Sequence, residues 1–307
     1  MLGLVNTPKG PAPVELQELP EPKPAPNEAL VKVHAFSLNR GELTLMRIRP
    51  EGWRPGQDIA GIVLQAAADG SGPKPGTRVV ALLDWHGWAE RAAVPAHRLA
   101  PLPDTVSFAQ AAALPVAGIT ALRTLRHGAP LLGRRVLITG AAGGVGNLAV
   151  QLAARSGARV TAIVGSHDRG RVVAALGVAE IVEGIDKAQG PYALILESVG
   201  GASLATAIKL LGPRGVVVVF GNSSGEPTPI SFRDFGAANN ARIQAFHSFA
   251  SGPEEEFAPD LALLAALVAD GCLKPQLGAE RSWREIAKTA AELRERRIAG
   301  KAVFRVE

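Results

Sequence analysis

Apolar and polar residues alternate along several short segments in the first third of the chain. The clearest alternation covers residues 29–35, and segments 59–66, 78–83 and 88–94 have a similar strand-like character. A period of two is typical of strands with one buried face, and turns rich in glycine and proline separate these segments. The pattern predicts a β-rich unit of the barrel or sandwich kind.

From Arg135 onward, the pattern changes to a regular alternation of predicted strands and helices. Strands are predicted at 135–139, 159–164, 180–182, 193–196, 215–220 and 242–245, and helices at 144–156, 168–176 and 202–211. Continuous apolar strands such as 216–219 indicate a parallel sheet that is buried on both faces. The expected fold class is therefore α/β, with a doubly wound Rossmann sheet.

The last part of the chain is predicted to contain helices at 259–270 and 283–296 and a strand at 302–306. A tail that ends in a strand suggests that the chain returns to the first, β-rich unit. We therefore expect a substrate domain of residues 1–112 and 252–307 and a dinucleotide-binding domain of residues 113–251. The cleft between two such domains is the expected working site.

A turn with glycines at 140, 143, 144 and 146 follows the first strand of the predicted parallel sheet. A strand, a glycine turn and a helix N-terminus together form a phosphate site, because backbone N–H groups and the helix dipole both favour an anion. The alternative is a tight turn in some other α/β domain. A P-loop is excluded because no Lys-Ser or Lys-Thr follows a glycine here. The tyrosine–lysine pair of short-chain dehydrogenases is also missing, because Leu196 stands where Tyr192 would need its lysine.

The segment after the second parallel strand bears on the choice between NAD and NADP. An acidic residue there binds the ribose of NAD, whereas this chain has Gly165, Ser166 and Arg169. A hydroxyl and a guanidinium suit the 2′-phosphate of NADPH. Asp168 does not fit this interpretation, and Ser166 and Asp168 could instead cap the next helix.

The composition narrows the classes of partner. The 307 residues carry a formal net charge of +5, and the basic residues are scattered, which argues against a nucleic-acid interface. Cys272 is the only cysteine, so neither a disulfide framework nor a thiolate metal cage is expected. No basic leader and no membrane-length apolar run is found, and a cytoplasmic protein without membrane contact is expected.

Several motifs then occur in the order of a known family. They are Asn39, the segments 55–61 (Pro-Gly-Gln-Asp-Ile-Ala-Gly), 76–79, 111–115, 118–122, 197–201 and 220–225, and the glycine turn. Together they resemble the medium-chain dehydrogenase/reductase superfamily, and in particular its zinc-free NADPH:quinone oxidoreductases, the relatives of ζ-crystallin. The resemblance covers nearly the whole chain.

The resemblance implies a GroES-like β-rich catalytic domain beside the Rossmann domain, a homodimer, and hydride transfer from C4 of NADPH to a quinone or an activated alkene. It places Asn39 at the start of the loop that lines the substrate pocket, and Thr120 near the nicotinamide. The expected cofactor-binding residues are Thr120, Gly140, Gly143, Gly144, Val145, Gly146, Gly165, Ser166, Arg169, Val199, Gly200, Phe220, Gly221 and Ser223.

The chain departs from the zinc enzymes of the same superfamily. They need a cysteine where Asn39 stands and a His-Glu pair where Gln57 and Asp58 stand, and the histidines of this chain show no ligand spacing. We expect no metal site. Without a Lewis acid, the reaction is expected to use electron-poor acceptors.

Two features of the predicted substrate domain are not explained by the family pattern. Quinone reductases of this type often carry a tyrosine just after the Asn39 loop, whereas this chain has Glu42 and Thr44. Glu42 is a candidate to relay a proton or to orient Asn39, with an ion pair to Arg40 or Arg47 as the alternative. Trp85, His86 and Trp88 form either an aromatic plate for a flat quinone or a packed loop between strands.

The sequence thus predicts an NADPH-dependent reductase of quinones or α,β-unsaturated carbonyls, with Asn39, Glu42 and Thr120 as candidate catalytic residues. Two alternatives stay open. One is a zinc-free reductase of another activated alkene, such as an enoyl thioester. The other is an NADPH-binding protein without turnover.

Overall fold

The structure, a computed structural model, describes residues 1–10, 12–128, 130–236, 238–248 and 256–307. The chain divides into two compact units, Met1–Ile119 with Ser251–Glu307, and Thr120–Ala250. The sequence placed the first boundary at residues 112–113. The second expected boundary, at 251–252, lies outside the described residues.

The first part of the chain is mostly β-structure. Its elements are β1 (Leu2–Asn6), β2 (Val14–Glu18), β3 (Glu28–Leu38), α1 (Arg40–Ile48), β4 (Asp58–Gln65), β5 (Arg78–Leu82), β6 (Arg91–Pro95), β7 (Leu99–Pro101), α2 (Phe108–Ala112) and α3 (Pro115–Arg126). The alternating pattern of the sequence corresponds to β3, whose residues Val31 and Val33 are buried while Lys32 between them is exposed.

The middle part forms the predicted parallel sheet. Its elements are β8 (Arg135–Ile138), α4 (Gly144–Arg155), β9 (Arg159–Val164), α5 (His167–Val173), β10 (Glu180–Glu183), β11 (Tyr192–Glu197), α6 (Gly201–Lys209), β12 (Leu211–Val219) and β13 (Arg242–Ala245). The strands are all parallel, in the order β10-β9-β8-β11-β12-β13. This is the doubly wound order of a Rossmann sheet, so the predicted fold class is confirmed.

The last part of the chain returns to the first unit. It contains α7 (Ala258–Ala269), β14 (Leu277–Ser282), α8 (Ile286–Arg294) and β15 (Lys301–Arg305). Strand β15 pairs antiparallel with β3 and extends a sheet in the order β14-β15-β3-β4-β5-β7, in which β6 also pairs with β3. The aromatic rings of Phe36, Trp88, Trp283 and Phe304 pack together in the core beneath this sheet.

Two elements differ from the sequence-based prediction. Asn39 was expected to begin a loop, but it is the N-cap of α1, with Glu42 at the third helical position completing a capping box. The strand predicted at 88–94 begins only at Arg91. Trp88 lies before this strand. Its indole is fully buried and donates a hydrogen bond from Nε1 to the Ser37 carbonyl at 3.2 Å.

Candidate active site

The glycine turn between β8 and α4 is built for close backbone approach. Gly140 adopts a φ of +60°, and the Gly143 N–H donates to the Gly140 carbonyl at 2.8 Å. A Cβ on Gly146 would lie 2.3 Å from the same carbonyl oxygen, so no side chain fits there. Gly143 caps α4 without a side chain, which leaves the first-turn N–H groups without a side-chain acceptor. This geometry suits a pyrophosphate.

The turn lies where the strand order of the sheet reverses, between β8 and β11. Thr139 follows β8 and Ser198 follows β11, and the Ser198 N–H donates to Thr139 Oγ1 at 2.9 Å. In open parallel sheets, ligands bind outside the carboxyl ends of the strands at such a reversal. The structure therefore brings the glycine turn and the segment after β11 to the expected binding edge.

Glu197 fills the N-terminus of α6, a role that sequence analysis missed. Its buried carboxylate accepts the N–H groups of Val199 at 3.0 Å and Gly200 at 2.9 Å and the Ser203 hydroxyl at 2.8 Å. Burial raises the pKa of Glu197, and these hydrogen bonds oppose the rise. Glu197 thus fixes the backbone of Val199 and Gly200 immediately before α6, and its carboxylate lies beside the N-terminus of that helix.

The segments after β11 and β12 are joined by backbone hydrogen bonds. The Ser223 N–H donates to the Ser198 carbonyl at 3.1 Å, and the Phe220 N–H donates to the Glu197 carbonyl at 2.9 Å. A Cβ on Gly221 would lie 3.0 Å from the Ser198 oxygen. The predicted residues Val199, Gly200, Phe220, Gly221 and Ser223 therefore belong to one ordered edge of the second unit.

Thr120 is buried, and its hydroxyl lies 3.0 Å from the Ser248 hydroxyl. The Thr124 hydroxyl, one helical turn further on, donates to the Thr120 carbonyl at 2.6 Å. Sequence analysis did not identify Ser248, because 128 residues separate it from Thr120. The pair fixes the position of the Thr120 side chain at the start of the second unit.

The corner after β9 is open. Gly165 is exposed, and a Cβ there would contact nothing within 4 Å. Ser166 caps α5, since its hydroxyl accepts the Arg169 N–H at 3.5 Å, and the exposed Asp168 pairs with Arg171 at 3.6 Å. The capping alternative is therefore present, and the Asp168 carboxylate is engaged along the helix. A phosphate-binding role of Ser166 and Arg169 stays a prediction.

In the first unit, Asp58 lies at the centre of a buried polar cluster. Its Oδ2 accepts hydrogen bonds from the Ser37 hydroxyl, from Asn39 Nδ2 at 2.8 Å and from Lys301 Nζ at 3.0 Å. Its Oδ1 accepts the Val116 N–H at 2.8 Å. Lys301 also donates to Asn39 Oδ1. Asp58 is fully buried and the Lys301 side chain is 5% exposed, so this is a buried ion pair.

The register of the sheet explains why these residues meet. Strand β3 pairs Ser37 with Asp58 on one side and Leu38 with Ala302 on the other. The next residue beyond Leu38 and the one before Ala302 are Asn39 and Lys301, so their side chains come together at the end of β3. The sequence carried no signal for Lys301, because the pairing of β15 with β3 cannot be read from local pattern.

Glu42 is fully buried and binds the backbone rather than an arginine. One carboxylate oxygen accepts the Asn39 N–H at 2.9 Å and Asn39 Nδ2 at 3.3 Å, and the other accepts the Gln57 N–H at 3.1 Å. In the described structure it forms no ion pair with Arg40 or Arg47. Burial, followed by the charge of Asp58, raises the pKa of Glu42 to about 8.

The aromatic plate predicted from three residues is only partly present. Trp88 belongs to the core, as the packed-loop alternative expected. Trp85 is half-buried and packs edge-on against Trp53, with ring centroids 5.2 Å apart. His86 beside it is exposed and adopts a φ of +74°.

Within the part of the chain that the structure describes, no group of three His, Cys, Asp or Glu side chains is arranged to hold a metal ion. In the same part of the chain, no helix combines the length and the apolar character needed to span a membrane.

Known proteins resemble this chain over most of its length. A family model described as "Alcohol dehydrogenase GroES-like domain" matches residues 25–104, and one described as "Zinc-binding dehydrogenase" matches residues 144–266. The quinone oxidoreductase of Mus musculus is 32% identical over 304 residues, which cover 92% of this chain and 91% of the relative.

Two further proteins are similar. The spectinabilin polyketide synthase system protein NorB of Streptomyces orinoci is 36% identical over 263 residues, which cover 82% of this chain and 12% of that protein. The solved structure of Escherichia coli quinone oxidoreductase complexed with NADPH superimposes with a TM-score of 0.88 at 22% identity, and covers 99% of this chain and 100% of that one. At this identity, the superposition shows the fold.

Proposed function

The chain belongs to the quinone oxidoreductase group of the medium-chain dehydrogenase/reductase superfamily, and from this we propose that it uses NADPH to reduce a quinone or an α,β-unsaturated carbonyl compound without zinc. One observation carries the cofactor part of the proposal. The N-terminus of α4 has no side-chain cap and follows a turn in which a Cβ on Gly146 would collide with the backbone. Such a cradle fits a pyrophosphate and excludes side chains.

NADPH would lie along the carboxyl edge of the parallel sheet. The backbone of Gly143, Gly144 and Val145 would hold the pyrophosphate, with Gly140 and Gly146 keeping the turn tight. The nicotinamide end would be held by the remaining predicted residues of the second unit, Thr120, Val199, Gly200, Phe220, Gly221 and Ser223. When bound, NADPH would supply a hydride from C4 to the acceptor.

The corner after β9 would select NADPH over NADH. Gly165 leaves space beside Ser166 and Arg169, and the nearby Asp168 carboxylate is paired with Arg171. A guanidinium and a hydroxyl favour a 2′-phosphate through charge-assisted hydrogen bonds. Arg169→Ala should therefore weaken NADPH binding more than NADH binding, and equal losses for the two cofactors would refute this role.

The protein's own contribution to the reaction is positioning. In the first unit, Glu42 and Lys301 engage the carboxamide of Asn39 from two sides, and both Nδ2 hydrogens are directed at carboxylates. Asn39 would shape the substrate pocket, and Glu42 would act as a positioning residue that fixes Asn39. Where the zinc enzymes carry a metal-binding pair, this chain has Gln57 and Asp58, and Asp58 is bound to Lys301. An electron-poor acceptor accepts hydride without a Lewis acid.

The assay of this proposal follows the loss of NADPH absorbance with 1,2-naphthoquinone as the acceptor and then with a 2-alkenal. The same measurements are repeated with NADH in place of NADPH. We expect oxidation of NADPH by at least one acceptor. Tight NADPH binding without oxidation by any acceptor would instead support a nucleotide-binding protein without turnover.

An enoyl thioester is the second candidate acceptor. The similarity to a segment of a polyketide synthase system protein is the observation that favours it. Crotonyl-coenzyme A should be added to the acceptor series. A rate with this thioester far above the rate with 1,2-naphthoquinone would make it the preferred substrate class.

We also propose that the protein forms a homodimer, as the family resemblance implied. Strand β13 ends the parallel sheet, and its four residues are exposed. Phe232 nearby in the sequence is 94% exposed, and Ile230 and Ile243 are exposed as well. An open strand edge flanked by apolar side chains favours pairing with a second copy.

A further inference from the structure

A cluster of aromatic and basic side chains lies in two loops of the first unit, one between α1 and β4 and the other between β5 and β6. The Arg49 guanidinium lies 5.3 Å from the centroid of the Trp85 ring and 5.9 Å from that of Trp53. The two indoles contact each other edge-on at an interplanar angle of 67°. Stacking of this kind fixes the guanidinium over the rings and leaves its charge uncompensated.

Arg54 adds a second cation to this cluster. The residue is half-buried, and burial lowers the pKa of its guanidinium. Among the described residues, the Arg54 side chain has no hydrogen-bond or ion-pair partner. A guanidinium that is partly withdrawn from water and has no acceptor in the protein leaves its donors available to an anion supplied from outside.

His86 connects the two loops of the cluster and shows backbone strain. Its φ of +74° is rare for a residue other than glycine, and such strain concentrates at binding and active sites. The His86 N–H donates to the Arg54 carbonyl at 3.3 Å. Partial desolvation of the ring and the charge of Arg54 lower the pKa of His86, which favours the neutral imidazole.

The carboxylates near the cluster do not neutralise it. Asp84 precedes Trp85 but pairs with Arg98 at 2.8 Å. Glu51 is the one acidic residue between residues 43 and 57, and in the described structure it forms no ion pair with Arg49 or Arg54. The cluster therefore keeps the Arg49 cation on the two indole rings and the Arg54 cation next to Trp53 in the chain, and no carboxylate of the described residues pairs with either.

The cluster adjoins the polar centre of the first unit through the loop before β4. Gly56 adopts a φ of +117°, and a Cβ on it would lie 2.2 Å from the Trp88 nitrogen, so the loops 54–57 and 85–88 are in direct contact. One residue further, the Gln57 N–H binds Glu42, which in turn fixes Asn39. A ligand on Arg54 would thus be near the proposed substrate pocket of this unit.

From this arrangement we propose that Arg49, Arg54 and His86, with the rings of Trp53 and Trp85, bind the anionic group of a flat aromatic acceptor. The chemical class is an aromatic carboxylate or sulfonate, such as a quinone that carries an acidic substituent. The part of this proposal that concerns substrate selection rests on the proposed function, because it names the substrate class of the same reductase. The part that concerns binding of an aromatic anion does not depend on turnover.

The kinetic test compares 1,2-naphthoquinone-4-sulfonate with 1,2-naphthoquinone. Arg54→Gln should lower the ratio of kcat/KM for the sulfonated over the neutral quinone by about tenfold, the value of one charge-assisted hydrogen bond. Arg54→Lys keeps the positive charge and should retain part of the preference in kcat/KM for the sulfonated quinone. Arg47→Gln is the matched control, because Arg47 is an exposed arginine of α1 outside the cluster. Equal ratios in wild type and Arg54→Gln, or an equal loss in Arg47→Gln, would overturn the proposal.

The binding test uses isothermal titration with 2-naphthalenesulfonate and with 2-naphthol, in the absence of any acceptor. The sulfonate should bind more tightly than 2-naphthol, the difference should shrink with added salt, and Arg54→Gln should remove most of it. Sulfonate binding that depends on Arg54 without any quinone reduction would refute the reductase and leave the anion site standing. Quinone reduction with no preference for the sulfonate in either test would refute the anion site alone.

Discussion

Replacing Lys301 with methionine removes the cation from a buried ion pair while keeping an unbranched side chain of similar length. Asp58 is fully buried, and the Lys301 side chain is 5% exposed. The carboxylate would keep hydrogen bonds from the Ser37 hydroxyl, Asn39 Nδ2 and the Val116 N–H. The negative charge would remain in the core without the ammonium that now balances it.

The cost of this change follows from the burial of both partners. Removing one partner of a buried pair costs about 3–5 kcal/mol, because the other charge is left desolvated. The three remaining donors on Asp58 place the expected loss at the lower end, about 3 kcal/mol. With a urea dependence of about 1–3 kcal/mol per molar, the midpoint of unfolding should fall by about 1 M or more.

Tryptophan fluorescence can measure this change in the first unit alone. The four tryptophans of the chain, at positions 53, 85, 88 and 283, all belong to that unit. Urea unfolding at pH 7 should be compared between wild type, Lys301→Met and the control Lys74→Met, since Lys74 is exposed in a turn. The control should unfold at the wild-type midpoint.

A double-mutant cycle with Asp58→Asn separates the ion pair from other effects. Asp58→Asn alone leaves the ammonium unbalanced, so it should also destabilise the first unit. The double variant should be clearly more stable than the sum of the two single losses predicts, by at least about 1 kcal/mol. A Lys301→Met midpoint equal to that of wild type, or strictly additive losses, would refute the assignment of a stabilising buried pair.

Three further predictions concern single features of the structure. Folding raises the pKa of Glu42 from 4.5 to about 8. Between these two values the folded protein holds a proton on Glu42 that the unfolded chain releases. The free energy of unfolding should therefore fall by about 1.4 kcal/mol per pH unit as the pH rises from 4.5 to about 8. Glu42→Gln should flatten this slope in urea unfolding at about pH 5.5 and 7.5, and an unchanged slope would contradict the assignment. Gly146→Ala places a Cβ 2.3 Å from the Gly140 oxygen, and NADPH titration should show an affinity loss of about tenfold or more while the tryptophan-detected midpoint stays unchanged. Phe232→Ser should shift the sedimentation coefficient from dimer towards monomer, and a coefficient equal to that of wild type would place the dimer contact elsewhere.

Much of the fold was predictable because its signals are local. The alternation in β3 and the apolar runs of β8 and β12 each follow from a few neighbouring residues. Helix α1 was missed although Asn39 and Glu42 have the spacing of a capping box, because the segment is short and was interpreted as a substrate loop. Trp88 was also placed in a strand by the sequence pattern. Only its stacking on Phe36 and its hydrogen bond to the Ser37 carbonyl show that it belongs to the core.

The sequence by itself indicated a β-rich first part, the alternation of strands and helices that follows it and the glycine turn at 140–146, since each depends on periodicity or on residues adjacent in the chain. Only the tertiary structure decided the polar centre of the first unit. Asn39, Asp58 and Lys301 are far apart in sequence, and the register of β3 with β4 and β15 brings them within hydrogen-bond distance. The tertiary structure also decided the cluster of cations around Trp53 and Trp85. Only the folded chain shows that Arg54 has no carboxylate partner among the described residues. Strand pairing between distant segments has no local pattern that would reveal it.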